Sequence, residues 1–210
     1  MKVLLGTTNP GKLQEILALL GDVPGLEWVN PGELGLPQVR ETGATLEENA
    51  RLKAQTLAQW SGLAALAEDS GLEVEALDGA PGVHTATFAG TRDPQANIAR
   101  LLRLLEGAPN RRARFRAVAC LALPEGSLWT SEGLLEGHIA EAPRGSGGFG
   151  YDPVFIPEGE TRTLAEMTLE EKNRVSHRRK AVMGLRLILA ELGQRGEPPE
   201  GYNSRPKGLW

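Results

Sequence analysis

Val3-Leu4-Leu5-Gly6-Thr7-Thr8-Asn9-Pro10-Gly11-Lys12 is a short apolar run that breaks at Gly6 and leads into Leu13, Ile16, Leu17 and Leu20 at helical spacing. The pattern predicts a buried strand, a loop and an amphipathic helix, in outline a strand–loop–helix phosphate site. Asn9 is a favoured N-cap and Pro10 is pre-set for the first helical position, so the loop ends where unpaired helix N–H groups begin. Such an end attracts anions, and a phosphate group suits the loop from Thr7 to Lys12. The Gly-x4-Gly-Lys-Ser/Thr spacing of a Walker loop is absent. An ordinary capped helix after a strand fits these residues equally well.

Working outward, Thr45-Leu46-Glu47-Glu48 has the capping-box pattern and predicts a helix to about Trp60. Leu46, Ala50, Ala54 and Leu57 form its buried stripe, with Lys53 at the margin. Leu63 to Ala67 predicts a small strand. Glu68-Asp69-Ser70-Gly71 then reads as a junction before a half-exposed strand, in which Leu72, Val74 and Ala76 alternate with Glu73 and Glu75. The carboxylates would sit at the kind of sheet edge where α/β enzymes place their chemistry, although a solvated turn would look the same. Ile98, Leu101, Leu102 and Leu105 predict a third helix. Phe115 to Leu123 and Leu128 to Ile139, split by Pro124-Glu125-Gly126-Ser127, predict an antiparallel pair. Thr168-Leu169-Glu170-Glu171 is another capping box, delivering Lys172 on a short helix. Ser176 is expected to cap one last helix, with His177 and Arg178 in its first turn and Val182, Leu185, Leu189 and Leu192 facing the core. The expected organisation is one domain over 1–192 and a polar, lightly held tail over 193–210.

With 210 residues and 40% hydrophobic content, the chain can bury a real core in one domain or in two lobes sharing one sheet. A net charge of −4 without a long basic run argues against a protein that grips nucleic acid through many phosphates. The single cysteine, Cys120, lies in an apolar run and implies a reducing compartment. The N-terminal apolar run meets Gly6 too soon for a signal segment, and no stretch approaches the ~20 residues of a membrane span. These features place the chain in the cytoplasm, away from membranes. Six of the 23 basic residues are lysine, and three of those, Lys12, Lys53 and Lys172, fall beside the candidate site motifs. A compact ammonium on a flexible stem does what arginine's planar fork does not.

Gly147-Gly148-Phe149-Gly150-Tyr151-Asp152-Pro153 reads as a pocket for a flat ring. Glycines remove β-carbons, so the face of Phe149 can meet a heterocycle while neighbouring amides meet its edge. Stacking is indifferent to which base it meets, so discrimination falls to Asp152, Lys172, His177 and Arg178. A Gly-rich turn with Phe149 as a core plug is the alternative. Glu41, Glu68 and Asp69 supply hard oxygen ligands for Mg²⁺, which takes one or two protein carboxylates plus phosphate oxygens. Glu41 and Asp69 are the expected ligands, with Glu68 as a further candidate, and Asp69 is the expected base for water. A non-catalytic nucleotide-binding or sensing module would lack such a cluster, since carboxylates repel a triphosphate unless a metal intervenes. A pyrophosphatase for other modified nucleotides stays open.

Thr7 to Lys12, Glu41-Thr42-Gly43, Glu48-Asn49-Ala50 with Lys53, Asp69-Ser70-Gly71-Leu72, Gly79-Ala80-Pro81-Gly82, Gly148 to Pro153 and Ser176-His177-Arg178 together resemble the inosine triphosphate pyrophosphatase family. The likeness runs in order to about Leu192. It implies cleavage of ITP, dITP and XTP to the monophosphate and pyrophosphate with Mg²⁺. It also implies an α/β fold with an elongated mixed central sheet flanked by helices, two lobes with an active-site cleft between them, and a homodimer. The triphosphate loop falls on Thr7, Thr8, Asn9, Pro10, Gly11 and Lys12, with Lys53 also directed at phosphate. Metal ligands match Glu41 and Asp69, the base matches Asp69, and Ser70 touches substrate. Base-binding elements match Phe149, Gly150, Tyr151, Asp152, Lys172, His177 and Arg178. Many members resemble Asp-Asp-Ser-Gly where this chain has Glu68-Asp69-Ser70-Gly71. Hypoxanthine and xanthine carry O6 where adenine carries an amino group, so donors such as Arg178 would favour the former.

Overall fold

A computed structural model describes residues 1–198. Its sheet has six strands: β1 (Lys2–Leu5), β2 (Glu27–Val29), β3 (Ala64–Val74), β4 (Arg112–Ala122), β5 (Leu128–Ile139) and β6 (Phe155–Pro157), in the order β2-β1-β3-β4-β5-β6. β1 runs parallel to both neighbours, Leu4 lying opposite Val29 of β2 and Ala65 of β3. β6 is antiparallel to β5. β4 and β5 are neighbours joined by a tight turn in which Leu123 N–H donates to Ser127 O at 2.9 Å, so they too run antiparallel. The sheet is mixed and flanked by helices α1 (Pro10–Leu20), α2 (Leu46–Ser61), α3 (Pro94–Leu104), α4 (Leu169–Val175), α5 (His177–Met183) and α6 (Arg186–Arg195), as the α/β reading requires. Among the described residues no helix is long and apolar enough to cross a membrane.

The chain divides into two compact units. The first comprises Met1–Asp69, Val118–Glu132 and the described residues from Arg178 onward. Val3, Leu4, Leu5, Ile16, Leu66 and Leu189 are buried there. Gly6 lets α2 close on the end of β1, since a Cβ would stand 2.7 Å from Leu57 Cδ1 and 3.0 Å from Ala67 Cβ. The second unit comprises Ser70–Ala117 and Gly133–His177. Its core gathers Leu72, Leu101, Phe115, Tyr151, Val154 and Phe155 among others. Burying one such large side chain contributes ~1.5–3 kcal/mol.

Four local features differ from the sequence expectation. Glu68 to Gly71 is not a junction: β3 runs unbroken through it, and Gly71 is what permits this. A Cβ on Gly71 would meet Gly82 O at 2.3 Å, and Leu72 N–H donates to Thr85 Oγ1 at 2.8 Å, so the segment around Gly82 lies flat against the strand. The last helix is not continuous but breaks between α5 and α6. Gly184 there packs so close to β5 that a Cβ would sit 1.9 Å from Ser131 Oγ. The buried side of α1 is Glu15, Ile16, Leu19 and Leu20, while Leu17 is exposed. α6 carries the helix to Arg195 against the chain after α1, where a Cβ on Gly193 would meet Pro24 O at 2.2 Å. The rest of the expected tail, 199–210, lies outside the described residues.

Candidate active site

In the first unit the loop after β1 is closed on itself. Asn9 Oδ1 accepts from Gly11 N at 2.9 Å and Lys12 N at 3.1 Å, and Asn9 N donates to Thr7 Oγ1 at 3.2 Å. Asn9 is thus the N-cap and Pro10 the first residue of α1, as read from sequence. Those two first-turn amides are therefore given to Asn9. Lys12 Nζ reaches Glu68 Oε2 at 2.9 Å.

A second loop is pinned ahead of α2. Gly43 N donates to Asn49 Oδ1 at 2.8 Å, Ala44 N to Glu48 Oε2 at 2.7 Å, and Glu48 N to Thr45 Oγ1 at 3.1 Å. The capping-box residues are those expected, but Glu48 reaches one residue upstream of the cap. This fold-back carries Glu41 to Lys53, with Nζ to Oε1 at 2.6 Å. Lys53 lies deep on α2, where it also donates to Glu68 O at 2.8 Å and stands 3.8 Å from Asp69 Oδ1.

Arg178, at the start of α5, pairs through Nη1 with Glu15 and through Nη2 with Glu68 Oε1 at 3.2 Å. Glu68 is 1% exposed, Arg178 2%, Glu15 2% and Asp69 6%. A strand centre holding two adjacent carboxylates is tolerable only with such pairing, because an unpaired buried charge is costly. Burial alone would push the Glu68 carboxyl up, yet Arg178, Lys12 and Lys53 together hold it far below the usual carboxylate range. At Asp69 burial wins: its carboxyl is raised despite Lys53 and Lys12, with Glu41 and Glu68 adding to the rise. Burial disfavours the Lys53 cation, but Asp69 and Glu41 outweigh it and raise its pKa. Three cations face four carboxylates among these seven side chains, which leaves an excess of negative charge.

The second unit holds the other group of expected residues. Asp152 Oδ2 accepts from Phe149 N at 2.9 Å and from Lys172 Nζ. The Lys172 ammonium stands 4.5 Å from the Phe149 ring centroid, a cation–π distance. The glycines serve the protein itself more than a ligand. Gly148 has φ 67° and makes room for the Asp152 carboxylate, 2.1 Å from where its Cβ would be, and Gly147 packs on Ala165 O. Gly150 alone of the three has open space around it. Tyr151 is a core residue whose hydroxyl donates to Thr85 O at 2.8 Å, and burial pushes that hydroxyl's pKa up. His177 stacks on Phe115 at 4.7 Å with an 11° tilt. Lys172 arrives on α4, whose reciprocal Thr168–Glu171 capping box is as expected.

Adjacent residues His177 and Arg178 thus take partners in different units. Ser70 is the first residue of the second unit, next to Asp69 along β3. Glu15 is the member of this set that sequence reasoning missed. Its signal was weak, since α1 fits an apolar stripe on either side of it and its partner lies 163 positions away. Asn49, which anchors the Glu41 loop, appeared only as part of a motif.

The model of the Ham1 family matches residues 3–187. The chain belongs to the Ham1 family. Among similar sequences, the dITP/XTP pyrophosphatase of Deinococcus deserti is 51% identical over 186 residues, covering 88% of this chain and 87% of that protein. The dITP/XTP pyrophosphatase of Elusimicrobium minutum is 50% identical over 188 residues, covering 86% and 95%. Among solved structures, a HAM1 protein from Coxiella burnetii aligns with a TM-score of 0.83 at 39% identity, over 91% of this chain and 99% of that one. The family resemblance carried by the motifs therefore holds, and so does the mixed α/β fold.

Proposed function

We propose that this Ham1-family chain hydrolyses deaminated purine nucleoside triphosphates, ITP, dITP and XTP, to the monophosphate and pyrophosphate. The observation that carries the reading is the buried lysine–carboxylate set around Asp69, in a chain half identical to proteins named dITP/XTP pyrophosphatase. Thr7 to Lys12 and Lys53 hold the triphosphate. Asp69, the carboxyl raised by burial, takes the proton of the attacking water, a task suited to a base poised above its ordinary pKa. Base recognition is assigned to Phe149, Gly150, Tyr151, Asp152, Lys172, His177 and Arg178, and a substrate contact to Ser70.

The donors fit a hard divalent cation: Glu41 and Asp69 offer carboxylate oxygens around the same Lys53 ammonium, and the surrounding charge is net negative. Among the described residues no group of three or more His, Cys, Asp or Glu side chains is placed to hold a metal ion. Mg²⁺ does not need three protein ligands, because it keeps waters and accepts one or two carboxylates beside substrate phosphates. Glu41 and Asp69 are the ligands in this reading. Glu68, whose two oxygens face Lys12 and Arg178, is instead the counter-ion of those two groups. The bound ion would neutralise phosphate charge and lower the pKa of water. The single buried thiol supports a reducing, cytoplasmic setting, and the family resemblance supports a homodimer.

A panel of ITP, dITP, XTP, GTP and ATP with product identification tests the proposal. The expected result is pyrophosphate and monophosphate from the first three, with ATP and GTP turned over far more slowly. Release of orthophosphate, or equal turnover of ATP, would overturn it.

A further inference from the structure

The two lysines assigned to the triphosphate already have partners, and those of Lys53 are the two groups assigned to the cation. Lys53 Nζ lies 2.6 Å from Glu41 Oε1 and 3.8 Å from Asp69 Oδ1, and Lys12 Nζ lies 2.9 Å from Glu68 Oε2. We propose that Lys12 and Lys53 are resident counter-ions that change partner on loading, so that the divalent cation and the pyrophosphate moiety bind as a coupled pair. The inference rests on the phosphate and metal assignments above and adds to them a rule about the order and cost of binding.

Consider each ligand alone. A pyrophosphate group without a cation must draw Lys53 off Glu41 and Asp69, leaving a buried aspartate beside Glu41 and the incoming anion. Like charges and desolvation both oppose that state. A cation without phosphate must displace the same ammonium, and Lys53, 9% exposed, would keep only the main-chain oxygen of Glu68 at 2.8 Å. When both arrive, Glu41 and Asp69 pass to the cation and the lysines to the phosphates, and every charge stays paired. Arg178 stays out of the exchange. It holds Glu68 from the other side, at 3.2 Å and anchored by Glu15, so Glu68 remains compensated when Lys12 leaves. By linkage, each ligand then tightens the other by the same factor, and couplings of this kind are about 5- to 150-fold.

The experiment is calorimetric titration of inorganic pyrophosphate into the full chain, once with magnesium chloride and once with EDTA, and of magnesium alone, with pyrophosphate speciation accounted for. Pyrophosphate is expected to bind at least about tenfold more tightly with magnesium, and magnesium alone to bind correspondingly weakly. Equal pyrophosphate affinity in both conditions would overturn the exchange while leaving the phosphate site standing. No pyrophosphate binding in either condition would overturn the phosphate assignment and the exchange together. Glu41→Gln separates the exchange from a plain metal-ligand role, and its side chain is 42% exposed, so the fold tolerates the change. The variant is expected to bind metal-free pyrophosphate about fivefold or more tightly than the wild type, because Lys53 has lost its competitor, and to lose most of the magnesium enhancement. That gain should vanish in Glu41→Gln/Lys53→Gln. A Glu41→Gln variant with unchanged metal-free affinity, or a gain that survives in the double variant, would overturn the exchange.

Discussion

The proposed base role puts two physically conflicting demands on Asp69: it must be charged to take a proton, and it sits where burial disfavours charge. Asp69→Asn is expected to abolish turnover while ITP still binds, because the amide keeps the shape but accepts no proton. Turnover near the wild-type rate would remove Asp69 from the base role. Arg178 is the other residue on which the site turns. Arg178→Ala removes a charged partner from Glu15 and from Glu68, both buried, and loss of one partner from a buried pair costs ~3–5 kcal/mol, so the variant should melt well below the wild type although Lys12 still faces Glu68. If the guanidinium also meets O6, kcat/KM falls further for ITP than for ATP, and the gap narrows roughly 5- to 150-fold, the equivalent of ~1–3 kcal/mol. The narrowing is the expected outcome; an unchanged ratio on the same preparation would confine Arg178 to its carboxylates.

At the scale of elements, what was legible in the sequence was whatever local chemistry decides. Asn9-Pro10 starts α1, the Thr168–Glu171 box starts α4, and Pro124 to Ser127 turns β4 into β5, because caps and turns are fixed by residues within four positions of one another. β3 was misread because Glu-Asp-Ser-Gly carries every local sign of a turn. What keeps it extended is distant in sequence: Lys12 and Arg178 neutralise Glu68, and the Gly82 segment covers Gly71. The same applies to α1, whose buried face includes Glu15 beside Ile16, Leu19 and Leu20, the charge being paired there by Arg178. β2 and β6, three residues each, carry no periodicity to read. Gly71→Ala probes that dependence directly. The added methyl meets main-chain oxygen at 2.3 Å, so strand or loop must shift at ~1–3 kcal/mol, lowering Tm by about 2–4 °C per kcal/mol. An unchanged melting temperature would show that β3 does not depend on that close approach.

For the molecule as a whole, the two adjacent carboxylates of β3 should make opposite contributions to stability as pH changes. Glu68 is held below its ordinary pKa of 4.5, so the folded chain binds fewer protons there than the unfolded one. Its contribution is fully present above pH 4.5 and is lost as pH falls toward the lowered folded value. Asp69 is raised above 3.8, so between 3.8 and the folded value the folded chain binds more protons, and its contribution declines as pH rises through that window. Replacing each by its amide should therefore move stability in opposite directions at neutral pH. Glu68→Gln is expected to destabilise, and the deficit should shrink as pH is lowered below 4.5. Asp69→Asn is expected to be at least as stable as the wild type at about pH 7, with an advantage that disappears toward about pH 4, since the chain then no longer holds a charge in a site that resists it. Urea unfolding of the three proteins from about pH 3 to about pH 8 would read both trends. A catalytic carboxylate that stabilises the fold at neutral pH, seen as a less stable Asp69→Asn with a deficit growing as pH rises, would contradict the burial-driven shift and with it the reason Asp69 is poised to act as a base.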